Sequence, residues 1–123
     1  MDQETASRIR QQIRQLRERR DRLEEGLLRR RRMIRASFIE RFLGTKASKR
    51  DKPAYYLSYR SEGKTVLEHV SAERRAEARR GAGEWSEFSS LVAQWVKVVR
   101  ELEKRWRELG EAQAERPGAG HER

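Results

Sequence analysis

Apolar residues in the first third of the chain recur at the spacing of an α-helix. From Ile9 to Ile34 they stand three, four or seven positions apart, which is the heptad pattern of helices that pack along a partner. Phe38 and Phe42 continue this pattern in a step of four. The spacing therefore predicts a long first helix over residues 5–43.

A second and more regular helical pattern occupies the last third of the chain. Steps of three and four alternate without interruption through Trp85, Phe88, Val92, Trp95, Val99, Leu102, Trp106 and Leu109. The pattern predicts a helix over residues 84–109 that Gly110 ends, followed by a disordered tail over 111–123. Three tryptophans on one helix face expose a large apolar surface unless another element covers it. We therefore expect it to pack on the first helix and to form an assembly contact with a second copy or another protein.

Between these helices the apolar pattern changes to a period of two. Two runs rich in Tyr, Val and Thr flank residues 61–63 and predict a β-hairpin over 54–70. Ser71 has the character of a helix N-cap, which predicts a short helix to about Arg80 and a hinge over 81–83. The predicted fold is mostly α (α+β): two long antiparallel helices with a central hairpin and short helix, in a single domain over 1–110.

Composition narrows the class of protein. Hydrophobic residues make up 35% of the chain and charged residues 41%, which suits long helices that share a narrow apolar stripe. The absence of cysteine excludes disulfides and thiolate metal sites. The longest apolar stretch, 91–99, is too short to cross a bilayer, and the polar start of the chain does not resemble a signal peptide. We expect a cytoplasmic protein that does not bind membranes, because no apolar face flanked by basic residues is present.

Positive charge is concentrated in the first part of the sequence. Residues 1–52 carry 17 Lys and Arg against 8 Asp and Glu, whereas residues 84–123 carry 7 against 8. The net charge of the chain is +10. A field this uneven attracts polyanions, of which nucleic acid is the commonest.

The densest charge is the run of four arginines at 29–32, which on a helix would surround the axis. Guanidinium groups suit phosphate oxygens, and Arg30 is set aside because it falls on the apolar stripe. The predicted nucleic-acid contacts are Arg29, Arg31, Arg32, Arg35, Arg41, Lys46, Lys49, Arg50, Lys52, Arg60 and Lys64. The alternative is that these side chains only solvate a helix surface or cover the stripe with their stems.

Three tyrosines stand among these basic residues in the first predicted strand. Strand alternation places Tyr55 and Tyr59 on one face and Tyr56 on the other. One face must pack on the helices, so at least one tyrosine belongs to the core. Tyr56 is the predicted base-stacking residue. The alternative is that all three serve strand propensity and packing.

The sequence does not predict an enzyme. Gly63–Lys64–Thr65 lacks the upstream glycine of a phosphate-binding loop and stands between strands. His69 has no carboxylate at ligand or dyad spacing, because its neighbour Glu68 points to the opposite face of a strand. A tyrosine nucleophile would need more of a scaffold than this chain offers. No cofactor and no metal are expected.

The hairpin region carries a resemblance. The stretch KPAYYLSY at 52–59, the GKT turn at 63–65 and the Trp/Phe-rich helix that follows resemble a small family of proteins often encoded in mobile elements, near transposases. Its members have a helix, a Pro-Tyr-Tyr strand, a Gly-Lys-Thr turn and a closing helix. The resemblance covers about residues 8–108. It implies a mobile-element or nucleic-acid context but no specific activity.

These observations favour a nucleic-acid-binding accessory protein whose first helix and connector contact DNA or RNA. Sequence preference is expected to be weak, because no helix-turn-helix, zinc-finger or RNA-recognition signature is present. The alternative is a coiled-coil adaptor that docks an acidic protein partner through its last helix.

Overall fold

A computed structural model describes residues 3–42 and 53–120. Helix α1 spans Gln3–Leu28, strand β1 Ser37–Arg41, strand β2 Ala54–Ser61, strand β3 Lys64–Val70 and helix α2 Arg75–Gln113. Single 3₁₀ turns lie at Ala72–Arg74 and Pro117–Gly120. Two long helices with a three-stranded antiparallel sheet confirm the predicted α+β class.

The chain divides into two compact units. We call residues 3–28 with 91–120 the helix unit, and residues 29–42 with 53–90 the sheet unit. Helix α2 contributes residues 75–90 to the sheet unit and residues 91–113 to the helix unit. The length of the chain predicts a single domain over residues 1–110, which stays a prediction.

The helix unit is an antiparallel pair. The indole N–H of Trp95 donates to Glu24 at 2.8 Å near one end, and Arg10 donates to Gln113 near the other. The two helices share a core of buried aliphatic residues. It consists of Ala6, Ile9, Ile13 and Leu23 from α1 with Val98, Leu102, Leu109 and Ala112 from α2.

Helix α2 carries two neighbouring apolar rows within the helix unit, and only one faces α1. Leu91, Trp95 and the four α2 core residues face α1. The other row has a strict seven-residue spacing and consists of Val92, Val99 and Trp106. Val92 is 38% exposed and Trp106 52% exposed. The predicted stripe therefore merged two rows, and it omitted the buried Val98 and Ala112.

The prediction of a first helix to residue 43 is wrong, because α1 ends at Leu28 and Ser37–Arg41 is a strand. The spacing that misled the prediction runs from Ile34 through Phe38 to Phe42. A step of four fits one helical turn, but it is also an even number and fits a strand equally well. In the fold, Phe38 packs into a core while Phe42 is exposed.

The sheet has the strand order β1-β2-β3, with both neighbouring pairs antiparallel. The predicted hairpin over 54–70 is confirmed as β2 and β3. Its turn contains Glu62 and Gly63 with φ of 51° and 78°, the left-handed conformations of a two-residue hairpin loop. Strand β1 covers one edge of β2 and so pairs backbone groups that a lone hairpin would leave open.

Two predicted breaks in the last helix are also wrong. Helix α2 starts at Arg75 and passes through Gly81 and Gly83, so the short helix and the long helix are one element. Gly81 serves packing: a Cβ there would lie 2.6 Å from Cγ1 of Ile34, and the Ile34 N–H donates to the Gly81 carbonyl at 3.0 Å. Helix α2 also continues past Gly110 to Gln113, inside the segment predicted as tail.

Candidate nucleic-acid interface

The two faces of the sheet have different roles. The inner face carries Leu57 and Val70, which are buried against Ala78 and Ala82 of α2. Tyr55 belongs to this face and stacks on the Phe38 ring at 5.4 Å. The inner tyrosines Tyr55 and Tyr59 both pack against this core, so the alternation argument placed them correctly.

Arginines of α2 cover the inner aromatic rings. The guanidinium of Arg75 lies 4.2 Å from the centre of the Tyr55 ring, and that of Arg79 lies 5.1 Å from the centre of the Phe38 ring. Such cation–π contacts stabilise the packing of an aromatic at the edge of a core. These rings are therefore occupied and do not offer a stacking surface to a ligand.

The outer face of the sheet belongs to neither core cluster. At its centre Ile39, Tyr56 and His69 are direct cross-strand neighbours, and the Tyr56 and His69 rings meet edge to face at 5.5 Å. Leu67 lies beside them and is exposed. Arg41 and Arg60 are exposed on the same face by strand alternation. This outer face, as we call it from here, combines the exposed His69 ring and the half-buried Tyr56 ring with flanking cations.

The arginine run lies outside any helix, because residues 29–34 follow the end of α1 as irregular chain. Arg31 is held by Glu84 at 2.8 Å and Glu87 at 3.0 Å, and only 2% of its side chain is exposed. Burial alone would lower its pKa, but the hydrogen bonds and charges of Glu87 and Glu84 outweigh it and raise the pKa of Arg31. Arg29 shares the same two carboxylates at 3.3 and 3.4 Å.

The four arginines therefore separate into two pairs. Arg29 and Arg31 are neutralised by carboxylates of α2, whereas Arg30 and Arg32 are exposed and form no ion pair among the described residues. The expectation that Arg30 is a structural residue of a helical stripe is wrong, since the helix has already ended. Lys46, Lys49, Arg50 and Lys52 lie outside the described residues.

A groove lies beside Trp85 within the sheet unit. Its volume is about 630 Å³, and its lining includes Arg35, Ser58, Arg60, Thr65 and Trp85. The guanidinium of Arg35 lies over the indole of Trp85, 5.6 Å from the ring centre. Arg60 donates to the carbonyl of Gly63 at 2.7 Å, which orients its guanidinium at the hairpin turn.

A second groove adjoins the first. It shares Ser37 and Trp85 with its neighbour, has a volume of about 520 Å³ and is bordered by Arg79. Helix α2 lines it with the small residues Gly83, Ser86 and Ser89, which leave room above the helix backbone. The two grooves together place basic side chains on either side of one indole.

The predicted assembly residues fall on different surfaces. In the helix unit Trp95 and Leu102 pack into the core, whereas Val92 and Trp106 are exposed and Val99 is half-buried. In the sheet unit the Trp85 ring stacks on Phe88 at 6.4 Å. Only part of the predicted stripe is therefore open to a partner.

The sequence did not predict two residues of this candidate interface, His69 and Trp85. The sequence alone presents His69 as an isolated surface residue and Trp85 as an assembly residue only. The register Tyr56↔His69 follows once the two-residue turn is fixed, so hairpin geometry could have paired these rings. The approach of Arg35 to Trp85 joins distant parts of the sequence, and no local signal gives it.

Two other classes of site can be assessed in the part of the chain that the structure describes. No three His, Asp or Glu side chains there are grouped closely enough to hold a metal ion. Neither described helix combines the length and the apolar character that crossing a bilayer requires.

Comparisons with family models, curated proteins and solved structures find no match for this chain. The resemblance to mobile-element proteins therefore stays a hypothesis that rests on the sequence motifs alone.

Proposed function

We propose that the protein binds nucleic acid, DNA or RNA, through its sheet unit. The outer face is the observation that carries this proposal. It carries the exposed His69 and the half-buried Tyr56, with the exposed Arg41 and Arg60 on either side. Proteins that bind nucleic acid on a small sheet use this combination, in which rings stack on bases and cations hold the phosphates.

The distribution of charge supports the same surface. The sheet unit, residues 29–42 with 53–90, carries 12 basic and 7 acidic side chains, whereas the helix unit, residues 3–28 with 91–120, carries 13 and 10. The larger excess of positive charge thus belongs to the unit that contains the outer face. Long-range attraction would bring a polyanion to this unit before any specific contact forms.

The role that we propose for each residue follows from how exposed its side chain is. Arg30, Arg32 and Arg41 would neutralise phosphates, because each guanidinium is accessible. Tyr56 would stack on a base. These contacts read backbone and ring faces and not base edges, so we expect weak sequence preference. In the context that the sequence resemblance implies, the protein would act as an accessory factor of a mobile genetic element, not as an enzyme.

A titration by fluorescence anisotropy tests this function. The parent protein should bind a labelled oligonucleotide, with affinity that falls as salt rises. Tyr56→Ala should weaken binding to a single strand by about 1–3 kcal/mol, whereas Leu67→Ala, a neighbour on the same face without a ring, should not. Absence of binding at low salt, for both DNA and RNA, would contradict the proposal.

One observation favours a second function, assembly through the helix unit. Val92, Val99 and Trp106 recur every seven residues on a flank of α2 that does not face α1. An exposed heptad row of this kind is typical of a helix that pairs with another helix. It would join two copies or dock a coiled-coil partner.

Competition separates the two functions. An adaptor for an acidic protein would bind heparin and acidic polypeptides as well as it binds nucleic acid, whereas a nucleic-acid-binding protein would prefer DNA or RNA at equal charge. Purification with and without DNase and RNase identifies which nucleic acid, if any, accompanies the protein.

A further inference from the structure

The groove beside Trp85 is separate from the centre of the outer face and has the chemistry of a ligand site. It offers two guanidinium groups, those of Arg35 and Arg60, with hydroxyl groups of Ser37, Ser58 and Thr65 between the strands. Its volume of about 630 Å³ is in the range that encloses a small ligand. Cations with hydroxyl donors suit phosphate oxygens.

The indole at the edge of this groove adds a planar surface. Trp85 is half-buried and its ring stacks on Phe88, while the Arg35 guanidinium lies over the indole, 5.6 Å from the ring centre. Unpaired bases stack both on aromatic rings and on guanidinium planes. The surface that would accept a base is therefore the exposed Arg35 guanidinium, which the Trp85 ring supports, beside a cluster of phosphate donors.

From this geometry we propose that the groove holds one unpaired nucleotide of a single-stranded nucleic acid. The base would stack on the Arg35–Trp85 pair, and Arg60 with the neighbouring hydroxyls would bind the phosphate. Arg60 is suited to this role because its bond to the Gly63 carbonyl uses only one of its five N–H donors. The inference rests on the proposed function and adds to it a preference for single strands.

The second groove extends the site. It shares Ser37 and Trp85 with the first and has Arg79 at its border. A strand that leaves the first groove past Trp85 would thus meet another cation. Gly83 at its wall has open space around it, since a Cβ there would contact nothing within 4 Å. A continuous duplex keeps its bases stacked inside the helix and cannot place one in either groove.

An acidic peptide is the other ligand that two guanidinium groups could attract. A row of carboxylates would bind Arg35 and Arg60, but it would leave the indole unused. The observed pairing of an aromatic plane with the cations favours a ligand that has both a ring and an anion, which a nucleotide has.

Variants of the two residues proposed to form the stacking surface, Arg35 and Trp85, test the subsite. Trp85→Leu keeps an apolar side chain but removes the ring, and Arg35→Gln removes the charge at an exposed position. Each should weaken binding of a labelled single strand of about ten nucleotides by about 5- to 100-fold. Duplex binding should change by less than about twofold. Arg17→Gln, which removes an exposed charge on α1, is the matched control and should change neither.

A second measurement uses a mononucleotide. Uridine monophosphate should quench the tryptophan fluorescence of the parent, and the quenching should be lost in Trp85→Leu. Uridine without its phosphate should bind more weakly, and Arg60→Gln should remove that difference. Circular dichroism shows whether each variant is folded. If Trp85→Leu does not fold, Arg35→Gln still tests the subsite.

The outcomes distinguish this subsite from the general function. If the parent binds single strands and both groove variants bind them equally well, the subsite is wrong while the proposed function stands. Equal weakening of duplex and single-strand binding would also overturn the subsite. If an oligoglutamate peptide binds with the same dependence on Arg35 and Trp85, the groove is a peptide site. If the parent binds no nucleic acid at low salt, the proposed function itself fails.

Discussion

The helix unit and the sheet unit contain arginine in similar numbers but use it differently. On α2 in the helix unit, Arg105 pairs with Glu101 and Glu108, and Arg107 pairs with Glu103, all within one turn. The hydrogen bond to Glu108 exceeds the opposing effect of burial and raises the pKa of Arg105. These charges cancel locally and contribute to helix stability.

In the sheet unit the charges do not cancel. It has 12 basic and 7 acidic residues. Among its described residues the ion pairs are those of Arg29 and Arg31 with Glu84 and Glu87. An excess of basic residues in the sequence therefore indicates a binding surface only when the arginines that form internal ion pairs are left out of the count. What remains in the sheet unit is an excess of positive charge on exposed side chains, among them Arg30, Arg32 and Arg41.

The largest effect we expect comes from charging the core of the helix unit. Val98→Asp places an unpaired carboxylate among Ile13 and Leu102 and should cost about 3–5 kcal/mol of folding free energy. Val92→Asp, six residues earlier on the exposed row, should change the folding free energy by no more than about 0.5 kcal/mol. Thermal melts followed by circular dichroism measure both.

The same two variants sharpen the assembly hypothesis. If the row Val92, Val99 and Trp106 joins two copies, Val92→Asp should lower the mass measured by light scattering while the melt stays close to that of the parent. Equal destabilisation by both variants would show that α2 is covered on both flanks, which would contradict the exposure of Val92 and Trp106.

A smaller effect should separate the two faces of the sheet. Tyr55→Ala removes a ring that Phe38 and Arg75 cover, and should lower stability by about 2–4 kcal/mol. Tyr56→Ala should lower it by about 1 kcal/mol or less, because Tyr56 belongs to neither core cluster. Urea denaturation of the two variants provides the comparison. Similar decreases would mean that the outer face is also packed and is not free to bind.

The sequence predicted what depends on local periodicity. The hairpin with a short loop at residues 61–63, the separation of Tyr55 from Tyr56 and the helical character of both ends all follow from spacing and turn residues. It failed where one spacing fits two structures, as with Phe38 in β1. It also failed where a contact between residues far apart in the sequence determines the local structure, as the contact of Ile34 with Gly81 does. No spacing indicates that two carboxylates 53 and 56 residues away neutralise Arg31.

Two glycines of α2 test that long-range contact directly. Gly81→Ala puts a Cβ against Ile34 and should destabilise by about 1–3 kcal/mol through overpacking. Gly83→Ala has open space and should stabilise by about 0.5–1 kcal/mol, since alanine favours a helix. Chemical denaturation of both variants gives the sign of each change. Stabilisation by both would mean that residues 81–83 form an ordinary helix surface without the Ile34 contact.

The smallest effect on stability, and the most specific one on binding, concerns the arginine run. Changing Arg30 and Arg32 together to Gln should leave the folding free energy within about 0.5 kcal/mol, because both side chains are exposed. If they neutralise phosphates, the slope of log affinity against log salt should shrink by about 0.7–0.9 for each phosphate that the variant no longer neutralises.

The pair Arg29 and Arg31 should behave in the opposite way. Changing both to Gln leaves Glu84 and Glu87 without their partners, so the melting temperature should fall. Both double variants lower the net charge of the protein by two units. A difference between them in the slope of log affinity against log salt therefore cannot arise from total charge. A smaller slope for Arg30 and Arg32 alone would identify these residues as phosphate contacts. Equal slopes in both variants and in the parent would show that the run only solvates the chain between α1 and β1.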